Sequence, residues 1–101
     1  MSDLKTLSFE QLEPCLNQPF AITPEGHEPL ILELIAVEKR GHFDPDFADR
    51  QAFSLIFRGP LEPVLEQQIW PMQHAAMGSL EIFLVPIGPD KKGMRYEAVF
   101  T

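Results

Sequence analysis

The chain has 101 residues, a single cysteine and a formal charge of −7 from 8 basic and 15 acidic side chains. That length accommodates one core but not a core plus a deep substrate chamber, and an apolar fraction of 45% argues against a disordered chain. The charge argues against nucleic acid and anionic membrane surfaces as partners, because both attract basic faces and the sequence contains no basic stripe.

The first predicted element is a short helix near Phe9 to Leu16. Ser8 is an N-cap and Gln11, three residues on, completes a capping box, with Leu7 and Leu12 as the hydrophobic staple. Pro14 limits the helix to two or three turns, and Asn17 is a left-handed stop. From there the period changes to two. Gln18 to Ile22 reads as a short strand, and Thr23 to Pro29, with two prolines and Gly26, reads as a turn. Leu30 to Arg40 is the longest strand, with Leu30, Leu32 and Leu34 on one face and Ile31, Glu33, Ile35 and Val37 on the other. Its isoleucine and valine content favours strand over the alternative of a helix.

Gly41 to Gln51 reads as a loop around Asp44-Pro45-Asp46. Ala52 to Arg58 is a strand with Phe53, Leu55 and Phe57 on one face, ended by Gly59-Pro60. Gln67 to His74 is a strand interrupted by Pro71, which belongs at an edge or a bulge because it cannot donate to the ladder. Ala75 to Gly78 is a turn, Leu80 to Ile87 a strand, Gly88 to Gly93 a loop and Met94 to Phe100 the last strand. Pairing Leu84 with Tyr96, Ile82 with Ala98 and Leu80 with Phe100 gives one apolar face, which Trp70 and Met72 join. The opposite face mixes Glu81, Arg95 and Glu97 with Phe83, Val85 and Val99. That apolar centre calls for a cover, either the N-terminal helix or a second copy of the chain in a homodimer.

These short, evenly spaced strands predict one mainly β domain over residues 1–101: a small antiparallel barrel or sandwich of about six strands with one short N-terminal helix. A lone cysteine and the lack of a signal-peptide pattern or a long apolar run predict a cytoplasmic chain.

Candidate chemistry is sparse. His42, Asp44, Asp46 and Asp49 crowd one loop, but the spacing matches no calcium loop and lacks the glycine of its sharp turn. His27 with Glu25 and Glu28 sits in a turn, and three histidines spread over three turns predict no metal site. Ser54, His74 and Asp90 can be nominated as a triad, with no nucleophile elbow to support them. Cys15 reads as a small buried thiol, since an activated thiolate needs an electropositive setting and Glu13 is near. No glycine-rich phosphate loop is present, so no cofactor is predicted. Arg58, at a strand end before Gly59-Pro60, is suited to clamp a carboxylate; the bland expectation is an internal pair with Glu81 or Glu97. Arg58, Trp70 and His74 together are the candidate binding residues, and Phe83, Val85 and Val99 the candidate interface.

The run Phe53-Ser54-Leu55-Ile56-Phe57-Arg58-Gly59-Pro60, the run from Met77 to Pro89, the run Met94-Arg95-Tyr96-Glu97-Ala98-Val99-Phe100 and the opening from Leu7 to Phe20 resemble a family of uncharacterised bacterial proteins of about this length. That family is classed as a domain of unknown function, and its members often occur beside phage-tail-collar or microcystin-dependent-type proteins. The resemblance implies a link to tail-fibre-like assemblies by association only. Gln68, Pro71 and Asn17 depart from the pattern, and there are no established catalytic residues to carry over. Two functional expectations follow. One is a non-enzymatic interaction or assembly module whose expected protein partner is a tail-fibre-like protein or a second copy of the chain. The other is a small-molecule binding protein or hydrolase with a pocket near Arg58, Trp70 and His74.

Overall fold

The computed structural model describes residues 8–40 and 52–100. Helix α1 (Phe9–Leu12) continues as a 3₁₀ turn over Glu13–Cys15, and six strands follow: β1 (Pro19–Ile22), β2 (Leu30–Lys39), β3 (Phe53–Gly59), β4 (Gln68–His74), β5 (Gly78–Pro89) and β6 (Met94–Phe100). The strands close into a barrel in the order β1-β2-β3-β6-β5-β4, with every pair antiparallel.

The local signals act where the residues place them. The Ser8 hydroxyl accepts from Gln11 N–H, and the Gln11 side chain accepts from Ser8 N–H, so both arms of the capping box form. Pro14 stands in the 3₁₀ turn, and Asn17 takes a left-handed φ of 69°. Leu7, the outer half of the staple, and the 41–51 loop lie outside the described residues. The helix does not cover the outer sheet face as expected. Leu12 and Cys15 join the barrel core instead, and Phe9 meets Phe53 edge-on at 6.5 Å.

Alternation supplies the core. Leu32, Leu34, Phe53, Leu55, Phe57, Met72, Ile82, Leu84, Tyr96 and Ala98 all point inward and are buried. Phe20 packs edge-on against Phe57 at 5.2 Å, and Phe53 stacks on Phe100 at 4.9 Å. Buried apolar surface stabilises at about 25 cal/mol per Å², so these aromatic contacts between β1, β3 and β6 hold together strands far apart in sequence.

Two bulges change the expected facing. Leu34 pairs with Phe57 but Ala36 with Ile56, so Ile35 is one residue too many. Beyond it the parity inverts: Val37 stands opposite Leu55 and packs against the core rather than sharing the face of Ile31. A second bulge lies between Pro86 and Gly88. The β5–β6 pairs are Val85 with Glu97 and Pro86 with Tyr96, two residues away from the expected register. β5 runs on through Gly88 to Pro89, which moves the turn toward the C-terminus. A slip of two leaves every side chain on its original face, so the expected inner face survives the wrong pairing.

The barrel closes weakly. β1 and β4 share the single pair Ala21 with Gln73, because β1 ends at Ile22 and the chain turns away at Pro24 and Gly26. Beyond that pair, β4 has no β1 partner. Leu65, from the segment between β3 and β4, enters the core and is held by its N–H donating to the Tyr96 hydroxyl at 2.9 Å.

Candidate functional site

Arg58 projects from the end of β3, where Gly59 pairs with Met94 near the β5–β6 turn. That turn folds back on it. Arg58 Nε and Nη2 both donate to Asp90 Oδ2, at 2.8 and 2.6 Å. Asp90 Oδ1 accepts from the backbone N–H of Lys92 and of Gly93, which shapes the turn around the same carboxylate. The Arg58 guanidinium, helped by these backbone donors, holds the Asp90 carboxyl down at about 2 against a usual 3.8. The partner is therefore Asp90 rather than Glu81 or Glu97. Glu97 instead approaches Arg40 at 3.8 Å, and across the β3–β6 ladder Arg58 faces Arg95. Beside the clamp is an open groove of about 400 Å³ lined by Ile31, Glu33, Arg58, Gly59, Pro60 and Lys92.

His74 is buried at the other end of β4 from Gln68. Its Nδ1 accepts from Ala76 N–H and Met77 N–H, both at 3.1 Å. Nδ1 therefore carries no proton, and Nε2–H donates to Gln18 Oε1 at 2.6 Å. The ring also lies 4.6 Å from the Phe20 ring. Both nitrogens are engaged in shaping the β4–β5 turn and tying it to the entry of β1.

Trp70 stands opposite Ile82 on the inward side of β4 and is half-buried. Its indole N–H donates to Glu66 O at 2.8 Å. The ring lines a second pocket, of about 270 Å³, which also takes in Pro24, His27, Pro63 and Val64. This pocket opens where β1 turns away and leaves β4 unpaired.

The three candidate binding residues do not converge. β3 and β4 are three strands apart in either direction around the ring, so Arg58 and Trp70 line different pockets. Trp70 and His74 share a strand but lie roughly 13 Å apart along it. The nominal triad is dispersed too: Ser54 is buried on β3, His74 is engaged by Gln18, and Asp90 by Arg58.

On the outer face, Phe83 is 46% and Val99 47% exposed, while Val85 is half-buried opposite Glu97. Phe83 lies two residues before Val85 and Val99 two residues after Glu97, so both stand just beyond the last β5–β6 pair, on the side away from the hairpin turn. Ile69, 58% exposed and paired with Phe83, extends this apolar stripe onto β4. The sequence reading passed over Ile69, although its parity opposite to Trp70 and Met72 marks it as outward-facing.

Cys15 is buried, with Sγ 3.6 Å from Met77 Sδ, and burial raises its thiol pKa. His27, Glu25 and Glu28 are exposed on the β1–β2 turn. The His42, Asp44, Asp46 and Asp49 loop lies outside the described residues; among those described, no three acid, histidine or cysteine side chains gather as a metal site. No helix among the described residues is long and apolar enough to cross a membrane.

A family model described as a domain of unknown function (DUF6916) matches residues 7–100. No curated protein and no solved structure matches the chain.

Proposed function

This chain belongs to that family of domains of unknown function, and we propose that it is a non-enzymatic interaction module that pairs with a second copy through the outer stripe Ile69, Phe83 and Val99. The observation that carries this reading is the exposure of the cross-strand pair Ile69 and Phe83 on one sheet face, together with the exposed Val99 on β6. Isolated exposed apolar residues need no explanation, but a contiguous stripe does. Phe83 pairs with Ile69 of β4, and Val99 of β6 stands where the Val85–Glu97 register continues toward Phe83. A two-fold axis through Phe83 lays Ile69 of one copy against Val99 of the other, which is the self-complementarity a closed dimer requires.

The stripe exposes on the order of 250 Å² per copy, about a third of the ~800 Å² a standard interface buries on each partner. Such a dimer is weak, with a Kd of roughly 10 μM to 1 mM. The engagement of His74 by Gln18 and of Asp90 by Arg58 supports the non-enzymatic part of the reading. We further propose that the module serves in an assembly of the tail-fibre kind, a reading supported by the resemblance of the Phe53–Pro60, Met77–Pro89 and Met94–Phe100 runs alone.

Sedimentation across that concentration range tests the pairing. The expected result is a reversible monomer–dimer equilibrium that tightens as salt is raised, because two copies of charge −7 repel and salt screens the repulsion. Phe83→Glu places a charge at the axis and is expected to give monomer throughout. A wild-type chain that stays monomeric at about 1 mM, or a Phe83→Glu variant that dimerises unchanged, overturns the proposal.

A further inference from the structure

We infer that the pocket beneath Trp70 is a binding site for an alkylammonium group, the cationic head of a lysine side chain or of a quaternary amine. The pocket exists because β1 and β4 close the barrel through a single pair. β1 stops at Ile22, the chain turns through Pro24 and Gly26, and the segment carrying Pro63 to Glu66 passes over the stretch of β4 left without a partner. Trp70 sits in that gap. Its only hydrogen-bond donor is taken by the Glu66 carbonyl, so what the indole offers a ligand is its π surface.

Three observations set the class of ligand. The walls contributed by Pro24, Pro63 and Val64 are apolar, which suits methyl or methylene groups. Glu25 and Glu66 also line the pocket, and neither carboxylate has an ion pair or hydrogen bond among the described residues. The volume, about 270 Å³, falls just short of the roughly 300–1,000 Å³ of sites that hold drug-sized molecules, so it takes one head group or one side chain. An aromatic face with unpaired carboxylates beside it attracts a cation twice over, through the ring quadrupole and through charge. An anion meets two carboxylates and a molecule of net charge −7, with the side-chain donors of the lining confined to His27 and Gln68. A neutral apolar guest gains no attraction from the two exposed carboxylates. Strand addition along this edge of β4 is hindered by Pro71, which has no N–H to give.

Trp70 is the only tryptophan, so its fluorescence reports on this pocket alone. The protein is titrated separately with choline, with N-acetyl-lysine methylamide, and with 3,3-dimethyl-1-butanol, the uncharged isostere of choline. A saturable change is expected with at least one of the two cations, at a Kd of about 0.1–10 mM, and the stronger of the two identifies the quaternary or the primary amine as the natural head group. The isostere is expected to bind at least about fivefold more weakly, and the double variant Glu25→Gln, Glu66→Gln to weaken the cation by a similar factor while leaving the melting curve in place. The inference is overturned if neither cation gives a saturable change, if the isostere binds as well as the cation, or if the double variant binds the cation unchanged. None of these readings depends on whether Phe83 supports a dimer.

Discussion

Replacing Tyr96 by phenylalanine removes one oxygen and leaves the buried ring in place. In the wild type that oxygen accepts from Leu65 N–H at 2.9 Å, and Tyr96 and Leu65 are 1% and 3% exposed. Deleting the acceptor strands a buried backbone donor, which costs about 1–3 kcal/mol. With an unfolding entropy of about 2.1 cal/mol/K per residue, a chain of this length loses about 5–14 °C in Tm. The effect also extends to the pocket. Leu65 anchors the segment whose next residue, Glu66, binds the Trp70 indole, so Tyr96→Phe is expected to shift Trp70 emission to the red as the segment loosens. Thermal melts followed by circular dichroism, with emission spectra recorded well below the transition, measure both effects. A Tm within about 2 °C of wild type would show that the Leu65 donor finds another partner, and the account of this bond as the anchor would then be wrong.

Gly93→Ala is expected to lower the urea midpoint by an amount equivalent to about 1–3 kcal/mol, because a Cβ there falls on the backbone oxygen of Gly59, which cannot swing aside as a flexible side chain would; a midpoint equal to that of wild type refutes the close β3–β6 approach. Asp90 titrates at about 2 in the folded chain against a usual 3.8, so its link to Arg58 stabilises the fold above that usual value and is lost as pH falls through about 2. Arg58→Gln is accordingly expected to lower the Tm at neutral pH and to converge with wild type near pH 2, and parallel Tm profiles down to that pH would remove Asp90 from the acid response.

Much of the fold is legible because it is written in neighbouring residues. Ser8 and Gln11 lie three apart and cap the same turn; Asn17 takes the left-handed stop its side chain tolerates; Phe53, Leu55 and Phe57 alternate and are buried together. The outward position of Phe83 and Val99 follows from the same period. What could not be read is whatever depends on one added residue or on a distant strand. Ile35 belongs to an unbroken apolar run, and nothing local marks it as the bulge that turns Val37 inward. Arg58 has several carboxylates within sequence reach, and only the fold of the β5–β6 turn selects Asp90.

Local alternation thus suffices for a mostly β chain with a capped N-terminal helix and for its list of inward-facing side chains, since side-chain direction in a strand is a matter of parity and survives an error of two in register. The ring order, with β3 beside β6 and β4 meeting β1 at a single pair, comes from packing between residues far apart in the chain, such as Phe20 on Phe57 and Phe53 on Phe100. Only that three-dimensional closure separates Arg58 from Trp70, ties up both nitrogens of His74, and leaves beside β4 the gap that Trp70 lines together with Glu25 and Glu66.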